Sequence, residues 1–384
     1  MGLSCQPGYP RLPVLLHVNA ADGIAQPGDR MTALGRDAVY WAFRGMGYPP
    51  GTTAWMPSFH CGVEVQAAVD AGFTVAYYRI TPDLAVDEDD LRAGLSRSPG
   101  PVLLIHYFGL PQRHTGRVLE ACRQHRVPLV EDCCHALFSK LGDEELGSIG
   151  PVAVFSVRKT MGTVDGGFLR VNARQYQDLT GRAFDAAPGG PRAGWPYRAL
   201  VRRALRARRG VLPAALDSWL CTGVPDPDLC PDGRVHGPVS RGTRSSRLAE
   251  HVLRTAHPDE VVRRRRANWA LLRASLGDVA GGQVLHAELP PGACPLGLVT
   301  SSPRRDALVR SLTAGGVEPY IFGATAHSTL EAAQFADAER LRRDLLCLPV
   351  HHALSRAQVA HVAAAFTTAL QSDDRVTGAG GGMP

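Results

Sequence analysis

Lysine is nearly absent from this 384-residue chain: of 42 Lys plus Arg, only Lys140 and Lys159 are lysine. Arginine serves as well for surface charge, but its guanidinium stays protonated and cannot form a Schiff base. Each surviving lysine is therefore informative. Long apolar runs are also missing. None reaches the ~18 residues that a membrane span needs, and the first residues lack the charged-then-apolar pattern of a secretory signal. The nine cysteines show no disulfide framework, which predicts reduced thiols in the cytoplasm. Aromatic residues do not interleave with the two arginine runs, Arg202 to Arg209 and Arg263 to Arg266. Those runs read as solvated helix faces, with no nucleic-acid partner.

What is present suits a globular enzyme. The chain is 45% hydrophobic and 20% charged, with a formal net charge of +6. That is enough to bury one large core and a smaller second one. Residues 1–31 read as an irregular lead-in. Short apolar runs then alternate with helix-like patterns as far as about residue 172. Expected strands are Thr52–Met56, Phe73–Ile80, Val102–Phe108, Val127–Asp132, Val152–Val157 and Gly167–Asn172, with helices at 37–46, 62–71, 87–95 and 113–125. Val102-Leu-Leu-Ile105 is apolar without alternation, as a strand covered on both faces requires. The alternation predicts a three-layer α/β unit at 32–255 with a mostly parallel sheet and ligands at the C-terminal strand ends. Helices are expected near 194–208, 245–254 and over Asp259–Leu276. A smaller α+β domain is expected at 256–372, with strands near 283–288, 296–301 and 317–321 and helices at 303–314 and 355–370. A glycine-rich tail, 373–384, is expected to be disordered.

Several residues could carry chemistry. Lys159 lies between a β-rich run and the turn Gly166-Gly167. It is a candidate for amine chemistry on a carbonyl or on pyridoxal phosphate, or else a solvated loop lysine. Asp132 ends a strand and would face the ligand crevice. There it could keep a pyridine nitrogen protonated, or merely cap the following turn. Gly35 and Arg36 open a helix whose free N–H groups suit a phosphate, and Ser156 or Arg158 could add a contact. His60 could stack on a ring or pack locally. His60, Cys61, His106, Cys133, Cys134 and His135 fit no standard zinc spacing, so no metal is expected.

Taken in order, these segments resemble the DegT/DnrJ/StrS family of pyridoxal-phosphate-dependent aminotransferases. The residues concerned are Leu34-Gly-Arg-Asp-Ala-Val39, Met56-Pro-Ser-Phe-His60, His106-Tyr-Phe-Gly-Leu-Pro111, Glu131-Asp-Cys-Cys-His-Ala136, Phe155-Ser156 with Lys159 and Gly166-Gly167, Arg265-Arg-Ala-Asn-Trp269 and Leu346-Cys-Leu-Pro349. The resemblance implies the aspartate-aminotransferase (type I) fold and a homodimer with the active site near its interface. It implies that Lys159 holds the cofactor aldehyde as an internal aldimine and that Asp132 pairs with the ring nitrogen. His135 would lie near the ring hydroxyl, His60 or Cys61 would cover the ring face, and Gly35, Arg36 and Ser156 would hold the phosphate. Family members with His in place of this lysine are dehydratases, so Lys159 disfavours that branch. Arg36 stands where a hydroxyl residue is usual. The element that normally reaches a neighbouring subunit's phosphate has no clear match, and Arg241 or Arg244 is the candidate.

The expected activity is transfer of an amino group from Glu or Gln to a keto-sugar or keto-cyclitol of secondary metabolism. A lyase, decarboxylase or carbon–carbon bond former on an amino acid would use the same cofactor. A non-catalytic cofactor-sensing regulator is disfavoured, because no helix-turn-helix-sized segment precedes residue 32.

Overall fold

The computed structural model describes residues 3–4, 28–163, 165–180, 244–277 and 284–378. Its centre is a seven-stranded sheet of β2 (Arg30–Thr32), β3 (Thr53–Pro57), β4 (Thr74–Tyr78), β5 (Val102–Ile105), β6 (Leu129–Asp132), β9 (Val152–Ser156) and β10 (Gly167–Val171), in the order β2-β10-β9-β6-β5-β3-β4. Two short strands, β7 (Lys140–Leu141) and β8 (Glu144–Glu145), form a separate hairpin. All neighbouring pairs from β9 to β4 are parallel, whereas β10 runs antiparallel to both its neighbours. Every residue of β5, β6 and β9 is buried. Helices α1 (Gly35–Gly45), α2 (Val63–Asp70), α3 (Glu88–Arg97) and α4 (Thr115–Gln124) connect these strands and supply apolar side chains to the same core. α3 starts where Asp87 accepts from the Asp90 N–H at 3.1 Å, an N-cap bond that fixes the first turn.

The strand expected over Val102–Phe108 stops at Ile105. Phe108 has φ +54, which extended backbone does not adopt, and a short 3-10 turn follows instead. β2 overlaps the end of the stretch 1–31 expected to be an irregular lead-in. It is only three residues long, and Arg170 on the neighbouring strand holds its approach through Nε–H and Nη2–H to Asp29, at 3.1 and 2.9 Å. That buried fork also lies over the Phe155 ring, which is stacked on Phe168.

Beyond α5 (Val157–Met161) and α6 (Arg247–Thr255), α7 (Pro258–Leu276) begins a second layer. Pro258 at its first position and Asp259 and Glu260 in its first turn favour that start. With α8 (Arg305–Ala314), α9 (Ala336–Asp344) and α10 (Arg356–Gly378) it accompanies the antiparallel pair β11 (Gly297–Ser301) and β13 (Leu345–Pro349). Trp269, Leu272, Leu298, Leu348, Val362 and Phe366 form the core that α7, α8, α10 and the two strands share, whereas α9 turns Ala338 and Leu341 into the core of the first layer. Leu3–Ser4 (β1) pairs parallel with Val317–Glu318 (β12), so these two residues lie on the second layer. Among the described residues, the strand expected near 283–288 is reduced to one bridge, Val284 to Thr300. α10 continues through Gly378, past the expected helix end at 370 and into the expected tail. The helix expected near 194–208 and the Arg202 to Arg209 run lie outside the described residues.

The Arg263 to Arg266 run is not uniformly a solvated face. Arg263 and Arg264 are exposed and pair with Glu260. Arg265 is 1% exposed and donates to the carbonyls of Thr160 at 2.7 Å, Pro295 at 3.0 Å and Leu296 at 3.3 Å. A planar guanidinium can satisfy several buried carbonyls at once, which a point charge cannot. Among the described residues, no helix is long and apolar enough to cross a membrane.

Candidate active site

The C-terminal ends of β5, β6 and β9, at Ile105, Asp132 and Ser156, open into one cavity of about 230 Å³. Its walls include Gly35, Arg36, Cys61, Asp132, His135, Ser156 and Lys159. The structure thus brings together seven of the eight residues singled out for cofactor contact. His60, the eighth, is fully buried outside the lining and stacks on Tyr77, with centroids 5.4 Å apart. Lys140, the other lysine, is exposed on its hairpin.

Local packing explains the glycines around Lys159. A Cβ on Gly167 would sit 2.5 Å from the Leu34 carbonyl carbon and 2.7 Å from Gly35 N. A Cβ on Gly35 would meet Cys134 Sγ at 2.7 Å. The absent side chains let the N-terminus of α1 dock against the strand ends, with its first N–H groups at the cavity. Asp37 caps that turn, accepting from the Leu34 N–H at 3.0 Å.

Asp132 is 7% exposed, and its Oδ1 accepts from the Cys134 N–H at 2.9 Å. His135 Nδ1 accepts from the Phe108 N–H at 3.3 Å. Its Nε2 lies 2.9 Å from Lys159 Nζ and 3.3 Å from Tyr320 Oη. Burial, and then the Lys159 charge, hold His135 well below the ordinary imidazole range, so the ring is neutral.

Residues 320–325, from the second layer, form the opposite wall. Phe322 meets the His135 ring edge-on at 4.8 Å. Arg342 fixes this wall to the first layer, donating to the His60 carbonyl at 2.7 Å, the Gly323 carbonyl at 3.1 Å and the Ser58 carbonyl. Tyr320 and Phe322 were not foreseen, because no local motif marks a residue that reaches the cavity by long-range packing. Glu64 was missed as well. It lies three residues after Cys61 beyond a strand end, and that spacing was the available signal. Arg244 pairs with Glu250 on the surface, while Arg241 lies outside the described residues.

Of the residues considered for metal, His106 and Cys133 approach Glu131 within 4.8 Å. The His106 Nδ1 accepts from the Gln112 N–H at 3.0 Å, so Nε2 carries the proton and donates to Glu131 at 3.2 Å. Glu131 also accepts from the Gly147 and Gly150 N–H groups. The cluster is a hydrogen-bonded brace under β6.

The donor set fits one kind of group. A primary amine, a carboxylate at a strand end and a helix N-terminus suit an aldehyde-bearing pyridine ring with a phosphate. The fold is that of solved aminotransferases. The aminotransferase TlmJ from Streptoalloteichus hindustanus superposes with a TM-score of 0.65 at 22% identity, covering 90% of this chain and 87% of that one. The pyridoxal-phosphate form of a putative sugar aminotransferase from Streptococcus pneumoniae gives 0.64 at 13% identity, covering 90% and 87%. The model of the DegT/DnrJ/EryC1/StrS aminotransferase family matches residues 31–180 and 251–367, and the chain belongs to that family. A curated relative, the UDP-N-acetyl-3-dehydro-alpha-D-glucosamine 3-aminotransferase of Acidithiobacillus ferrooxidans, is 24% identical over 144 residues. That match spans 37% of this chain and 39% of the relative.

Proposed function

We propose that this chain is a pyridoxal-phosphate-dependent aminotransferase that moves an amino group from glutamate or glutamine to a keto-sugar or related keto acceptor of secondary metabolism. The observation that carries the reading is the convergence of Lys159, Asp132 and the α1 N-terminus on one cavity. When bound, the cofactor supplies an aldehyde for amines and a ring that takes up electrons from a substrate carbon. Lys159 Nζ holds that aldehyde at rest. In the loaded enzyme the same amine would be the group that moves the proton at the donor carbon, as base and then as acid. Asp132 would keep the ring nitrogen protonated, and His135 would lie near the ring hydroxyl. Gly35, Arg36 and Ser156 hold the phosphate, and Cys61 covers the ring face in place of His60. We assign the cofactor unit to residues 32–255 and the smaller unit to 256–372. We place the enzyme in the cytoplasm as a homodimer.

Glutamate or glutamine added to the purified, cofactor-loaded protein should bleach its visible band and leave pyridoxamine phosphate, identified by mass spectrometry. Release of carbon dioxide or of a side-chain fragment without pyridoxamine phosphate would replace transamination by lyase chemistry.

A further inference from the structure

Glu64 lies on the cavity wall beside Cys61 and has no part in the reaction proposed above. Both carboxylate oxygens are turned onto one residue. Glu64 Oε1 accepts from the Cys61 N–H at 2.8 Å, and Oε2 accepts from the Cys61 thiol at 2.8 Å. Glu64 is 3% exposed, so its carboxylate is desolvated for these two bonds. We propose that Glu64 is a positioning residue that holds Cys61 as a hydrogen-bond donor and keeps its thiol from competing with Lys159 for the cofactor's aldehyde. The inference rests on the cofactor assignment made above.

The chemistry calls for such a restraint. A thiol adds to an aldehyde by forming a sulfur–carbon bond while its proton passes to the carbonyl oxygen, and no other reactant is consumed. The attacking form is the thiolate, which a neighbouring cation favours. Cys61 is half-buried at the cavity, where the Lys159 charge lowers its pKa. Burial and the Glu64 charge outweigh that pull and raise the thiol well above its ordinary range. Burial also raises Glu64, as does the nearby Asp132, while the bond from Cys61 lowers it. Cys134, the other thiol on the wall, follows the same pattern: burial first, then Asp132, push it up.

The test measures alkylation of Cys61 by iodoacetamide in the full-length, cofactor-free protein across a pH series, read by peptide mass spectrometry. Glu64→Gln keeps an acceptor for the Cys61 N–H but removes the charge. It should accelerate labelling at neutral pH by roughly tenfold, the equivalent of one pKa unit, and lower the midpoint of the pH–rate curve. Glu64→Asp, a second variant that retains the charge, should fall between the two. Circular dichroism checks that each is folded. Equal rates and midpoints in wild type and both variants would overturn the proposal. No cofactor is present in this measurement, so a failure of the aminotransferase reading leaves a distinct signature in the half-reaction and none here.

Discussion

At the scale of single residues, His135 has the most informative surroundings. It is 3% exposed and held by a backbone N–H, Lys159 and Tyr320. Its folded-state pKa lies well below the ordinary value, from burial and then Lys159. As pH falls through about 6.5, the unfolded chain takes up a proton at this position that the folded chain refuses. Stability is therefore lost on acidification below that value and unaffected above it. One pH unit below the ordinary pKa the loss is about 1.4 kcal/mol. Urea midpoints measured from about pH 7.5 to 5.5 should show a shallower acid slope in His135→Asn than in wild type. Equal slopes would refute the assignment. Lys159, Asp132 and His135 were legible in the sequence because each ends or follows a strand and belongs to a local motif. Glu64 escaped notice because its role depends on the carboxylate turning back onto Cys61.

At the scale of elements, the five-residue helix α5 carries Lys159 and is too short to be stable alone. Arg265 of α7 clamps its last turn through the Thr160 carbonyl and ties it to the Pro295 and Leu296 carbonyls. Arg265→Lys cannot reach all three acceptors, so it leaves buried carbonyls unpaired. It should cost about 2–4 kcal/mol, measured as the denaturant midpoint at unchanged slope. A change below about 0.5 kcal/mol, the range of ordinary surface substitutions, would show that the clamp carries no stability. The sequence presented this arginine as one of four solvated charges. Run composition could not separate it from Arg263 and Arg264, because burial depends on which face of α7 meets the strand ends. The buried strands β5, β6 and β9 were legible for the opposite reason: unbroken apolar residues require two covered faces. The edge strand β2 was not, since its three residues depend on pairing with β10 and on the Arg170–Asp29 fork.

At the scale of the whole molecule, the cavity exists because two layers meet. The first layer's share of the wall could be anticipated from motifs between residues 34 and 159. The second layer's share could not, since Tyr320 reaches His135 across 185 residues of sequence. The proposed chemistry requires this meeting point to receive an aldehyde on Lys159. Its most direct test is borohydride reduction of the purified protein in the presence of pyridoxal phosphate, followed by peptide mapping. A reduced pyridoxyl group on Lys159, absent in Lys159→Ala, is the predicted result. Modification of Lys140 instead, or no modification at all, would show that Lys159 does not hold the cofactor.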